Sequence, residues 1–256
     1  MQPMHSFGIA PRRLRIGGDF SISGGSCVLR TTFIIDYQNV HMTSRDVFDP
    51  DGDVHESLID PVAFARRSIT ERNGRQRPGY PLAQVERVLV YRGLPHVDYD
   101  WEQNRRCRDQ ATQWRADGAV VDLRDLKYDF QRGADGRPVL DVHGKKIPKG
   151  RPREKGIDVL CALACVRESV DPDVDLVVLA SRDTDLVPVL DELYDFRSRD
   201  AGRYARIETV SWYDPEARKQ GRYAGGSLRP SGTRRIWNTN LDRSCYEASL
   251  DRRDYQ

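Results

Sequence analysis

Four aspartates stand in three separated stretches of this chain. Asp36 ends "TTFIID", Asp158 opens "IDVLCALACV", and Asp183 and Asp185 follow "LVVLAS" within "SRDTD". Carboxylates gathered in one crevice repel and raise one another's pKa, so such a gathering calls for a cation. Oxygen ligands with no His or Cys beside them favour Mg²⁺ or Mn²⁺ over zinc, and Mg²⁺ held by a few carboxylates takes phosphate oxygens as further ligands. The chemistry to expect is phosphodiester or phosphoryl chemistry. Each acid also has a plainer use: Asp36 in a turn, Asp158 on an exposed first helical turn, Asp183 or Asp185 as a helix N-cap. What favours a site is the joint pattern across three segments.

Around these acids, Asn39 in "DYQN" is an amide that could orient a water or hold a loop, and Ser181 and Thr184 could orient the carboxylates from behind. The run from Lys145 to Lys155, "KKIPKGRPREK", offers Lys145, Lys146, Lys149, Arg151, Arg153 and Lys155 with one acid among them, and leads directly into the segment of Asp158. Lys and Arg on phosphates give affinity without sequence specificity. A solvated loop is the plainer reading of the run. Tyr128, Phe130 and Trp114 could stack on bases, but core packing is the favoured reading of all three.

The elements that must position these residues follow from periodicity. "TTFIIDYQNV" reads as a buried parallel strand ending at Asp36, and "HMTSRDVFDPDGDVHES" as a polar loop after it. Asp60-Pro61 starts a helix that runs to Asn73-Gly74. "VERVLVYRGLP" is a second strand, "DYDWEQNRRCRDQATQWRADG" a helix, and "AVVDLRDLKYDF" a third strand whose extension turns at "RGADGRP" into a projecting hairpin arm. From Gly156 a helix follows, with Ile157, Leu160, Ala164 and Val159, Leu163, Val166 at helical spacing for burial against a sheet. "DVDLVVLAS" is a fourth strand, "TDLVPVLDELYDF" a helix and "ARIETVSWY" a fifth strand. "RRIWNTNLD" can add an edge strand and "CYEASLDRRDYQ" a short helix. Strands alternating with helices predict a three-layer α/β/α sandwich with a mostly parallel sheet, of Rossmann-like kind. Ligands of such sheets bind beyond the strand carboxyl ends where strand order reverses, commonly between the first and fourth strands.

The chain has 256 residues, enough for one large domain, and its formal charge of +2 gives no argument for polyanion binding from the total. No run of about 20 apolar residues indicates a membrane span. The five cysteines form no CxxC pair, and Cys161 and Cys165 read as buried core thiols of a cytoplasmic protein. Residues 1–27 read as a disordered leader, with the natural start placed near Val28 at a GTG codon. Residues 28–215 form the domain and 216–256 an extension packing on it.

Together "FIIDYQNV", "EKGIDVLCALACV" and "LVVLASRDTDLVPVL" resemble the NYN domain family, a branch of the PIN-like nucleases, over about residues 30 to 215. The resemblance implies a PIN-like fold and a metal-dependent ribonuclease. By motif position it gives ligand roles to Asp36, Asp158 and Asp183, with Asp185 as a further catalytic acid. Members often carry a small residue where Arg182 stands; a long cation there either reaches a phosphate or crowds the crevice. The expected activity is endonucleolytic hydrolysis of single-stranded RNA with Mg²⁺ or Mn²⁺. The alternative is a silent RNA-binding or adaptor module, with a homodimer or a protein adaptor as partner. An aspartyl-phosphate phosphatase ranks lower because Gln38 stands where a second acid is needed. No GxGxxG, Walker A or GxSxG sequence is present.

Overall fold

The computed structural model describes residues 28–54 and 56–255. The expected leader, 1–27, lies outside them. Six strands form one sheet: β1 (Leu29–Asp36), β2 (Ala83–Leu94), β3 (Ala119–Asp125), β4 (Leu176–Ala180), β5 (Arg206–Trp212) and β6 (Asn238–Leu241). Their order is β3-β2-β1-β4-β5-β6, and every pairing is parallel. The order reverses between β1 and β4, which puts Asp36 and Ser181 side by side at the switch point.

A parallel sheet must be covered on both faces, and the alternation along β1 shows how. Phe33 and Ile35 pack with α1 (Tyr37–Phe48), α2 (Pro61–Gly74), α3 (Trp101–Ala116) and α7 (Arg243–Ala248); Ile34 packs with α4 (Ile157–Val170) and α5 (Val187–Arg199). The result is the expected three-layer sandwich. α2 starts at Asp60-Pro61 as predicted, Asp60 Oδ1 accepting from the N–H groups of Val62 and Ala63 at 2.9 Å. Cys161 and Cys165 are buried free thiols, and so are Cys107 and Cys245. Among the described residues no helix is long and apolar enough to cross a membrane.

Two expectations need correction, and one favoured reading holds. The segment after β1, read as a polar loop, begins with helix α1. Tyr37, Val40, Val47 and Phe48 bury one face; Ser44 Oγ donates to His41 O at 2.7 Å, and His41 Nε2 lies 3.2 Å from Ser57 Oγ of the loop beyond the helix. Tertiary burial thus overrides a polar composition. On α4 the buried side is Ile157, Cys161, Ala164 and Cys165, while Val159, Leu163 and Val166 are 54%, 59% and 38% exposed. The apolar surface of that helix is wider than the face the sheet covers. The favoured core reading of Trp114 holds: it is wholly buried and donates from Nε1 to Asp251 Oδ2 at 2.9 Å.

The arm between β3 and α4 is held by isolated antiparallel bridges, Lys127 with Arg153, Phe130 with Pro148 and Leu140 with Lys146, rather than by continuous strands. At its base Tyr128 and Phe130 gather on Tyr99, with ring centroids 4.9 and 5.6 Å away. Residues 216–255 belong to the same body: β6 completes the sheet and α7 packs on α2.

Candidate active site

The buried strand β1 ends on a carboxylate because the chain turns there into α1, whose free N–H groups need a cap. Asp36 supplies it, its Oδ1 facing Asn39 N at 3.4 Å, and it is only 5% exposed. From the neighbouring strand end Ser181 Oγ donates to Asp36 Oδ2 at 2.9 Å and accepts from Asp183 N at 3.0 Å. One hydroxyl therefore links the two acids. Burial raises the Asp36 pKa to about 6 against the help of Ser181 and the Asn39 N–H, and the charges of Asp183 and Asp158 push it the same way. Asp36, Asp158 and Asp183 thus share one electrostatic neighbourhood.

Asp183 also ends a strand and starts a helix. Its Oδ1 accepts from Asp185 N at 3.0 Å and caps a 3₁₀ turn, Thr184–Leu186, that runs into α5. Thr184 and Asp185 are exposed on that turn, and Asp158 is half-buried in the first turn of α4. Asp185 and Asp158 line a shallow groove between α4 and α5. Asn39 holds the loop from the other side, its Oδ1 accepting from Arg182 N at 2.8 Å.

The Arg182 side chain turns to the C-terminal segment. Its Nε donates to Gly226 O at 3.1 Å, its guanidinium lies 5.2 Å from the centre of the Tyr223 ring, and burial lowers its pKa. The six bases from Lys145 to Lys155 are exposed. Lys145 pairs with Asp98 at 2.9 Å, Arg153 with Asp129 at 2.6 Å, and Lys146 lies 5.4 Å over the Phe130 ring.

A further acid emerges that sequence reasoning passed over. Glu154, counted only as the lone acid of the basic run, is half-buried, and its Oε1 accepts from Gly93 N at 2.6 Å. Burial raises its pKa to about 7 against that hydrogen bond, and the charge of Asp36 adds to the rise. A Cβ at position 93 would collide with the Leu126 side chain and stand 2.7 Å from the Glu154 carboxylate, so the contact needs glycine near the end of β2. Nothing in "REKGID" signals that contact; Gly156 there takes a left-handed φ of 81°, turning the chain into α4 two residues after Glu154.

In chemistry this donor set suits a hard divalent cation: it is all carboxylate, and burial and mutual repulsion already strain Asp36. In spacing it is open, since among the described residues no three carboxylate, imidazole or thiol groups stand close enough together to hold a metal ion. No protein-family model, curated protein or solved structure matches the chain.

Proposed function

We propose that the protein is a divalent-cation-dependent ribonuclease, an endonuclease acting on single-stranded RNA through a site of the NYN type. The observation that carries this reading is Asp36, a buried carboxylate with its pKa raised to about 6 beneath the charges of Asp183 and Asp158. Such a group is costly to keep ionised unless a cation comes to it. Asp36, Asp158 and Asp183 would hold Mg²⁺ or Mn²⁺ after moving closer together, and the bound ion would supply a more acidic water and relief of charge on the phosphorus oxygens. Ser181 keeps Asp36 oriented and ties it to the Asp183 backbone. Glu154, titrating near neutral pH, is suited to take a proton from the attacking water at a carboxylate oxygen. Asp185, at the groove edge, meets the incoming strand. Lys146, Lys149, Arg151 and Lys155 would guide its backbone.

Cleavage of mixed single-stranded RNA with Mg²⁺, Mn²⁺ or EDTA tests this, beside Asp36→Asn and Asp183→Asn. The reading expects cation-dependent products from the native chain and at least a hundredfold loss in both variants. Full cation-dependent cleavage by Asp36→Asn would sink it.

The open spacing of the carboxylates favours a second reading, an RNA-binding or adaptor module without turnover. RNA binding that persists with no Mn²⁺-dependent cleavage selects that reading.

A further inference from the structure

Beside the acids lies a cavity of about 590 Å³, within the roughly 300–1,000 Å³ range of small-ligand sites. It opens between the start of α1, the carboxyl end of β2, α3 and the base of the arm, and Glu154 is part of its wall. That wall is shared with the carboxylate site, because Glu154 feels the charge of Asp36.

The cavity's lining is part polar and part apolar. To the polar part belongs Arg92, only 8% exposed, with its guanidinium 4.6 Å from the Tyr37 ring centre and 5.4 Å from that of Trp114. One of its amino groups donates to Gln110 Oε1, and among the described residues it makes no ion pair with a carboxylate. The charge of Arg92 is felt by Glu154 in the same cavity wall, but no described carboxylate pairs with it, so the position is suited to an anion that enters from the cavity. Guanidinium is also the group best matched to a phosphate. In the same lining, Met42, Leu126 and Pro152 offer apolar surface, and Gln38 and Arg151 add polar groups.

We propose that this cavity binds one unpaired nucleotide of the RNA strand, with a phosphate on Arg92 and the base against Met42, Leu126 and Pro152. The inference rests on the ribonuclease reading for its choice of ligand. It makes the preference for single strands a consequence of shape, since a base must leave its stack and its partner to enter. Its position beside Glu154 sets the strand's register relative to the acids.

The test uses the full chain without divalent cations, titrated with the four nucleoside 5′-monophosphates, the matching nucleosides and inorganic phosphate, and followed by calorimetry. At least one monophosphate is expected to bind ten times more tightly than its nucleoside and than phosphate. Arg92→Met should remove that advantage. Because Arg92 is packed against Tyr37 and Trp114, its loss could also disturb folding; Met42→Trp, which narrows the cavity and leaves Arg92 in place, should weaken binding at least tenfold. Monophosphate binding that Met42→Trp leaves unchanged, or that is no tighter than phosphate, would overturn the proposal. The Asp36→Asn, Asp183→Asn double variant should bind the monophosphate as the native chain does. Loss of binding to the native cavity therefore counts against this inference alone, and retained cleavage in Asp36→Asn against the ribonuclease reading alone.

Discussion

Ser181 Oγ donates to Asp36 Oδ2 at 2.9 Å across the junction of β1 and β4, the point where the strand order of the sheet turns back on itself. That bond offsets only part of the cost of burying Asp36, whose pKa stays at about 6 against an ordinary 3.8. The folded chain therefore binds the proton more tightly than the unfolded chain, and stability falls as pH rises from about 4 to about 6. Asp36→Asn removes the charge, its amide oxygen can still accept from the Asn39 N–H, and its NH2 can donate to Ser181 Oγ. It is expected to raise unfolding free energy at pH 7.5 by about 1–3 kcal/mol, with the gain gone below pH 4. Urea midpoints of both proteins across that range check it, and a variant less stable at pH 7.5 contradicts the burial argument.

A cation held by these acids in the folded chain alone adds stability by mass action, about 2.7 kcal/mol at a hundred times its Kd. Mn²⁺ should raise the Tm of the native chain and do so much less for Asp183→Asn. Scanning fluorimetry with and without EDTA measures this. Equal shifts in the two proteins mean that Asp183 is no ligand.

How much of this could be read from residues alone varies with the range of the interaction. The strands were legible because "TTFIID" and "LVVLAS" are apolar runs that stop at polar residues, and the switch point followed from alternation of strands with helices. α1 was hidden because His41, Thr43 and Ser44 are polar residues that the folded chain buries, and His41 meets Val54 O and Ser57 Oγ only there. Val159 and Leu163 share the helical spacing of the buried residues, and spacing does not say how far round a helix the sheet reaches. Asp36 and Asp183 were visible as strand-end acids. Glu154 was not, since its burial depends on Gly93, 61 residues away.

Arg182 illustrates the same limit from the other side. Its type suggested a phosphate contact or a blocked crevice, yet its side chain reaches Gly226 and Tyr223 in the C-terminal segment. Arg182→Ala should cost about 1–2 kcal/mol by removing a charge-assisted hydrogen bond, while the backbone N–H to Asn39 remains. RNA affinity should change less than twofold. Urea titration and a filter-binding assay separate the two effects; a tenfold loss of affinity at unchanged stability would make Arg182 a substrate contact.

Glu154 gives a pH signature of its own. Its pKa is raised from 4.5 to about 7, so the folded chain holds this proton more tightly than the unfolded chain, and stability declines as pH rises through that interval. Glu154→Gln can still accept from the Gly93 N–H, and its stability should be flatter between pH 5 and 8 than that of the native chain. If Glu154 takes the proton of the attacking water, native kcat/KM for RNA cleavage rises with pH and levels off above about 7, where the carboxylate is ionised. The variant should lose that inflection and at least tenfold in rate, with RNA affinity kept. An inflection near 7 that survives Glu154→Gln assigns the proton transfer to another group.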